Sequence, residues 1–234
     1  MERIKKMAAS NLIYREKLIR KGAEANIYEG YWFGKKVIFK HRVKKEYRED
    51  KLDSVIRTNR TLNEGRTLIK AKEEGINVPQ VYEIDTENSI IIIKYIEGQK
   101  LKELMPKLEN SEKVKLFHDI GQQVARLHIN GHIHGDITTS NIIVTIENQV
   151  FLIDFGLHEY SDSIEDKSVD LHLFKRVLIS SHGSDFIVCF NAFLDGYGSE
   201  YELIEKNESK SIIKNITAIE RRGRYVRRDK KEFE

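Results

Sequence analysis

Between Lys17 and Arg42, apolar and polar residues alternate, and glycines punctuate the pattern. Leu18-Ile19-Arg20 precedes Gly22, and Asn26-Ile27-Tyr28-Glu29-Gly30-Tyr31 follows it. A turn at Phe33-Gly34-Lys35 leads into Val37-Ile38-Phe39-Lys40. Successive strand side chains face opposite sides, so alternation broken by turn glycines predicts a small antiparallel meander. From Leu52 to Glu74 the apolar positions are Leu52, Val55, Ile56, Leu62, Leu68 and Ile69. Their spacing is imperfectly helical, but no proline interrupts it and Gly75 closes it. One long helix is predicted there, with Gly65 as its weak point. Two more strands follow Val78-Pro79, Gln80 to Ile84 and Ser89 to Lys94, joined by a turn at Asp85-Thr86-Glu87-Asn88. The first ten residues read as a short helix or a lead-in.

The pattern changes near Glu97-Gly98 and becomes mainly helical. Val114, Phe117, Ile120, Gly121, Val124 and Leu127 are expected to line one face of a helix ending near Gly131. A loop over Ile133 to Asn141 and two short strands follow, Ile142 to Thr145 and Val150 to Ile153, and two or three helices complete the chain. The fold class expected is α+β with two lobes, a sheet lobe with one long helix and a reduced helical lobe. Expected boundaries are 1–95, 96–220 and a basic tail over 221–234.

Composition narrows the classes. The 234 residues are 40% apolar and 33% charged, which suits a globular chain and excludes wholesale disorder. Forty Lys and Arg against 37 Asp and Glu leave a net charge of +3, so a strongly basic nucleic-acid coat is excluded. A single cysteine, Cys189, excludes an intrachain disulfide or a cysteine zinc cluster and reads as a small buried apolar residue. The longest apolar run, Ile90 to Ile93, is too short to span a bilayer, and Met1 to Ser10 lacks the apolar core of a signal peptide. A soluble, cytoplasmic protein without membrane attachment is expected.

Four pieces carry chemistry by their order. Lys40 ends an apolar strand, and Glu64 lies in the long helix after it. His134-Gly135-Asp136-Ile137-Thr138-Thr139-Ser140-Asn141 follows, and Asp154-Phe155-Gly156 closes the strand Phe151-Leu152-Ile153. Each is weak alone; together they suit phosphoryl transfer from ATP. A lysine on a strand can bind the α and β phosphates if a carboxylate, Glu64, holds its ammonium. Mg²⁺ prefers hard oxygen ligands, which Asp154 and Asn141 supply. Asp136 can orient and deprotonate the acceptor hydroxyl or water. His134 reads as structural, and His118, His128 and His132 lack a metal-ligand pattern.

With these residues in view, the chain resembles the protein-kinase superfamily. More narrowly, it resembles the small atypical serine/threonine kinase and ATPase of the KEOPS complex, the PRPK family. Gly22-Ala23-Glu24-Ala25-Asn26-Ile27-Tyr28 stands in for the Gly-rich loop. Further matching strings are Lys44 to Arg48 with Leu52-Asp53, Arg60-Thr61 ahead of Glu64, the His134–Asn141 loop, Glu165 to Leu171, and Arg221 to Arg228. The resemblance implies nucleotide contacts from Gly22, Ala23, Glu24 and Ala25. It also implies that Ile93 borders the adenine and that backbone groups of Lys94 and Ile96 touch it. Cofactors would be ATP and Mg²⁺. Implied partners are the KEOPS threonylcarbamoyl-transferase subunit through the C-lobe and a small regulatory subunit through the N-lobe. The implied function is support of threonylcarbamoyladenosine modification of tRNA.

Length agrees with the narrower match. Only 78 residues follow Gly156, and 13 separate it from Asp170, so no room exists for an activation loop. No proline occurs after Pro106, which excludes the Ala-Pro-Glu ending of ordinary kinases. The arginine of the usual His-Arg-Asp, which pairs with a phosphorylated activation loop, is replaced by Gly135. Glu24 puts a negative charge in the nucleotide loop, and it is expected to pair with Lys40 when ATP is absent. Thr138 stands where many protein kinases carry a lysine, so slow autonomous turnover is expected.

Charge is uneven. Lys35 to Arg60 holds ten Lys and Arg against four acids, and Arg221 to Glu234 holds seven against three. Such runs are ordinarily solvated faces. If KEOPS membership holds, the tail arginines Arg221, Arg222, Arg224, Arg227 and Arg228 are candidates for tRNA phosphates. Competing readings are a RIO-type kinase in ribosome maturation, a small-molecule phosphotransferase, and a nucleotide-binding scaffold without chemistry.

Overall fold

The computed structural model describes residues 12–204 and 207–229; side chains are described as far as Arg222. The chain divides into two compact units. The boundaries fall at Glu73 and Glu97, with residues 74–77 belonging to the second unit.

The first unit is a five-stranded antiparallel sheet with one helix. Its strands are β1 (Ile13–Lys21), β2 (Ala25–Trp32), β3 (Lys35–Arg42), β4 (Val81–Asp85) and β5 (Ile90–Lys94), and α1 (Asp50–Glu73) is the helix. The spatial order β1-β2-β3-β5-β4 puts β3 at the centre. Val37, Phe39, Ile90 and Ile92 form a core on one face, with Tyr28, Trp32 and Tyr82 packed against it. Edge strand β1 is exposed throughout, and register shifts after Arg15 and Leu18 break its ladder. Charges and bulges on an edge strand oppose pairing with another chain.

The second unit begins with β6 (Gly98–Lys100), a short α2 (Leu101–Leu104) and a 3₁₀ turn over Met105–Lys107. Helix α3 (Asn110–Ile129) comes next, then β7 (His132–Ile133), β8 (Ile142–Thr145), β9 (Val150–Leu152) and β10 (Glu159–Tyr160). Three helices close the chain, α4 (Ile164–Ser181), α5 (Phe186–Glu202) and α6 (Glu208–Asp229). Strands β6-β8-β9 form one small sheet and β7-β10 another. Helix α3 starts in a capping box, with Glu109 as N-cap and Glu112 bonding back to its N–H at 2.8 Å. Helix α4 starts at Ser163, whose hydroxyl accepts from Glu165 and Asp166 N–H. It begins so soon after Gly156 that no activation segment intervenes. Among the described residues, no helix is long and apolar enough to cross a membrane.

The apolar face expected for α1 is not the buried one. Leu52 and Val55 are about half exposed and Ile69 is 40% exposed, whereas Asp53, Thr61, Glu64, Gly65, Thr67, Leu68 and Ala71 are buried. The helix turns polar groups inward because each finds a partner, Glu64 on strand β3 and Asp53 on its own helix and the loop before it. Asp53 accepts from Arg57 Nε at 2.7 Å and from Lys45 N–H at 3.2 Å, and Arg57 reaches Ser89 Oγ at 3.1 Å. The Arg57 bond, aided by Lys45 and Arg48 against the opposing effect of burial, holds the Asp53 carboxyl below its usual range. Gly65 is a fitting residue here, since a Cβ would meet Ile84 Cδ1 of β4 at 2.4 Å.

On α3, Val114 is 44% exposed and leaves the expected face, and Lys113 is buried in its place, bonded to Asp185 at 3.0 Å. Phe117, Ile120, Gly121, Val124 and Leu127 are buried as the pattern requires. Helices α3 and α5 pack closely through two glycines. A Cβ at Gly121 would sit 2.1 Å from Phe193 O, and one at Gly196 would sit 2.0 Å from His118 O. Cys189 on α5 is fully buried, and burial, helped by nearby Asp185, raises its thiol to about 11.

Backbone atoms cannot yield as flexible side chains do, so Gly121→Ala must separate the two helices. The variant is expected to lose about 2–3 kcal/mol of stability, read as a lower urea midpoint with an unchanged slope.

Candidate functional site

In the first unit, Lys40 lies on β3 between Ile27 of β2 and Ile91 of β5. Lys40 Nζ donates to Glu64 Oε1 at 2.5 Å, and both residues are buried. The second oxygen of Glu64 accepts from Arg42 Nη2 at 2.7 Å. Lys40 and Arg42 are two positions apart on one strand, so they share a face and divide one carboxylate. A buried carboxylate with a cation on each oxygen is met in charge and held in orientation.

Glu24 does not pair with Lys40. Its carboxylate accepts from Arg42 Nη1 at 3.2 Å and, through its other oxygen, from Arg60. Guanidiniums from β3 and α1 thus reach the loop between β1 and β2 and take both oxygens. Partial burial would raise the Glu24 carboxyl; the bond and charge of Arg60, then those of Arg42, outweigh it and leave it lowered. Lys45 Nζ donates to Ala23 O in the same loop. Gly22 N–H bonds Ala25 O at 3.0 Å, and a Cβ at Gly22 would crowd that oxygen at 2.7 Å. The expected adenine border lies on β5 and just beyond it. Ile93 is half-buried, Ile96 is buried and Lys94 is exposed. Lys94 N–H already donates to Gln80 O at 2.8 Å, so the expectation there rests on its carbonyl and on the backbone of Ile96.

In the second unit, the loop from His134 to Asn141 is fastened from below. Asp170 of α4 is 1% exposed and accepts the backbone N–H of His134 at 2.9 Å and of Gly135 at 3.0 Å. It also meets His128 Nε2 at 3.1 Å, and His128 Nδ1 meets Tyr197 Oη at 2.8 Å. Burial alone would raise the Asp170 carboxyl; the His128 bond and charge, then those of His134, lower it instead. His134 is structural, as expected. Its Nε2 lies 3.2 Å from Ile153 O, its Nδ1 accepts from Asp136 N–H at 3.3 Å, and its ring packs on Phe155. These partners require the neutral tautomer with Nε2 protonated. Burial, against nearby Asp170, Asp154 and Asp136, lowers the His134 imidazolium and favours that neutral form.

Gly135 explains the missing arginine. Its φ is +77°, and a Cβ would meet Leu157 O at 2.5 Å. Only glycine adopts that conformation with a carbonyl so near. The departure from His-Arg-Asp is therefore built into the backbone.

Asn141 Nδ2 donates to Asp136 Oδ2 at 2.8 Å and to Asp136 O at 3.0 Å. With the amide nitrogen committed to a carboxylate, the hard oxygen Oδ1 is the end left to a cation. Asp154 is exposed and has φ +68°, a left-handed conformation that costs a non-glycine residue about 1–2 kcal/mol. Strain of this kind collects at functional positions. A cavity of about 480 Å³ opens beside Asp136, walled by Gly135 to Thr138 and by Leu173, Arg176 and Val177 of α4.

The RIO-domain family model matches residues 33–163, more than half of the chain. KEOPS complex subunit Bud32 of Pyrococcus abyssi is 46% identical over 218 residues, covering 91% of this chain and 97% of that protein. The chain belongs to the Bud32 family of RIO-domain proteins. A probable bifunctional tRNA threonylcarbamoyladenosine biosynthesis protein of Methanosphaera stadtmanae is 41% identical over 92% of this chain, and one from Methanocaldococcus jannaschii is 39% identical over 90%. The chain spans 38% and 37% of those two longer proteins.

Within this Bud32-family fold, sequence reasoning missed Arg42, His128 and Tyr197 as organisers of the site. Arg42 had a signal, its place two residues beyond Lys40 on a strand. His128 and Tyr197 had none, because their roles depend on contacts with Asp170 and with each other across distant segments. The tail expectation meets a helix, since α6 continues to Asp229. Arg221 is exposed, and Arg222 forms a surface ion pair with Glu165 at 2.7 Å. The side chains of Arg224, Arg227 and Arg228 lie outside the described residues, as do residues 1–11 and 230–234.

Two histidines set an acid limit. His158 Nε2 lies 2.8 Å from His132 Nδ1, and His132 Nε2 lies 2.6 Å from Glu74. Burial, then the neighbouring His132 and His134, lowers His158 from 6.5 to about 4. The folded value lies below the unfolded one, so the unfolded chain takes the proton first as pH falls. The stability lent by neutral His158 is whole above pH 6.5 and drains towards about 4; that lent by neutral His134, whose imidazolium is also lowered, is lost in the same direction as pH falls. Urea midpoints should fall steadily from pH 7 to pH 4.5, and His158→Gln should flatten part of that slope. A midpoint unchanged over this range would contradict the assignment.

Proposed function

We propose that this chain is a Mg-ATP-dependent phosphotransferase and ATPase that acts in the KEOPS complex to support threonylcarbamoyladenosine modification of tRNA. The observation that carries the chemistry is the orientation of Asn141, whose amide nitrogen is spent on Asp136 so that its oxygen is the end available to a cation. The names of the Pyrococcus abyssi and methanogen relatives carry the biological setting. RIO membership by itself would also suit a kinase in ribosome maturation; those names favour KEOPS.

Bound Mg-ATP would supply the transferable phosphoryl group and the cation that screens its charge. Lys40, braced by Glu64, holds phosphate oxygens, with the loop from Gly22 to Ala25 beside them. Asp154 and Asn141 offer oxygen ligands of the kind Mg²⁺ selects, a carboxylate and an amide. Asp136, steadied by Asn141, accepts the proton of the attacking hydroxyl or water. Ile93, Lys94 and Ile96 receive the base. Thr138 leaves the transferring phosphate without an added cation, which suits slow turnover dominated by hydrolysis, with transfer to serine or threonine hydroxyls alongside it. The transferase subunit binds the second unit and a small regulatory subunit the first. The basic end around Arg221 and Arg222 approaches tRNA phosphates in the cytoplasm.

The test is Mg²⁺-dependent ADP release by wild type, Asp136→Ala and Asp154→Ala, alone and with the transferase subunit. Each substitution should lower turnover by about 10²-fold or more while leaving subunit binding intact. Turnover should change when the subunit is added. No turnover in any condition would leave a nucleotide-binding scaffold as the better account.

A further inference from the structure

Arg42 is a buried guanidinium shared by two carboxylates in different settings. Glu64 is 3% exposed on α1, whereas the side chain of Glu24 is 47% exposed on the loop that closes β1 to β2. Arg42 gives Nη2 to the first and Nη1 to the second. Its Nε is buried without any hydrogen-bond partner. The guanidinium therefore has donor capacity that Glu24 does not use, and a buried unpaired N–H is costly.

The two carboxylates are tied together through one guanidinium: Lys40 and Arg42 share Glu64, and Arg42 and Arg60 share Glu24. Glu64 is buried between its partners and cannot leave cheaply. Glu24 can, because it is half exposed and sits on a short turn whose other bonds, Lys45 on Ala23 O and Gly22 N–H on Ala25 O, do not involve its carboxylate. A carboxylate with one guanidinium on each oxygen presents the pattern that a phosphate presents to an arginine pair. A phosphate brings more charge and a third oxygen, so it competes well for the same donors.

We propose that Glu24 is an internal stand-in for a nucleotide phosphate. Its carboxylate occupies Arg42 and Arg60 in the free chain, and a phosphate of the incoming nucleotide displaces it and releases the loop. This makes Arg42 and Arg60 phosphate-binding residues in addition to Lys40. The proposal rests on the phosphotransferase reading above.

The test is calorimetric titration of the full chain with Mg-ATP and, separately, with adenosine. Glu24→Gln should tighten ATP binding roughly tenfold and change adenosine binding by less than about twofold, because only ATP has phosphates to compete. In an Arg60→Gln background, a change at an exposed position that the fold tolerates, the gain from Glu24→Gln should shrink below about threefold. A gain independent of Arg60, or no gain, overturns the displacement. Hydrogen exchange without nucleotide gives a second readout. Amides from Ala23 to Asn26 should exchange faster in Glu24→Gln than in wild type, and unchanged exchange also overturns it. ATP binding that ignores Glu24 sinks the displacement alone. Absence of ATP binding in every variant sinks the phosphotransferase reading and the displacement with it.

Discussion

Asp170 carries a charge in a place where water cannot reach it. A buried carboxylate is tolerated only when its oxygens are fully occupied by donors. Here the donors are the two backbone N–H groups that begin the His134–Asn141 loop and the ring of His128. The requirement acts in both directions. The loop gives Asp170 its partners, and Asp170 fixes the loop from which Asp136 and Asn141 project. His128 in turn leans on Tyr197, and Tyr197 on Tyr201. Helices α3, α4 and α5 therefore meet the site through one polar chain. The glycine contacts between α3 and α5 keep that chain short. Unit-wide packing and local chemistry are thus the same problem.

The first unit solves a similar problem with cations. Glu64 is divided between Lys40 and Arg42, so neither ammonium nor guanidinium can shift without leaving an oxygen uncompensated. That constraint fixes the roll of α1 about its own axis. It turns Asp53, Thr61 and Glu64 inward and leaves Leu52 and Val55 in solvent. Helix α1 is docked by ionic and hydroxyl contacts where most amphipathic helices are docked by an apolar stripe. Such docking is sensitive to what binds nearby, because a ligand anion competes for the same donors. A loop held by Glu24 on two guanidiniums is the part of the network with the least to lose.

The order Lys40, Glu64, Asp136, Asn141, Asp154 could be seen in the residues, and so could the five strands and the long helix. Each depends on local pattern, on alternation, on punctuation by glycine, or on short motifs whose chemistry needs particular side chains. The glycine in His-Gly-Asp was visible too, as a departure from the arginine of ordinary kinases. Its cause was not visible, because the carbonyl of Leu157 that excludes a Cβ lies beyond the next strands. The burial of Lys113 in place of Val114 was hidden for the same reason, since Asp185 arrives from far along the chain.

The sequence by itself determined which residue types stand in which order, and hence the elements and the class of chemistry available. Tertiary structure decided which polar groups share a charge: Glu24 with Arg42 and Arg60 rather than with Lys40, and Asp170 with a loop some 35 residues before it. The physical reason is the cost of burying charge. Periodicity reports where apolar side chains recur, but an ionised group is placed by whichever opposite charge can reach it, and that partner is set by the folded chain.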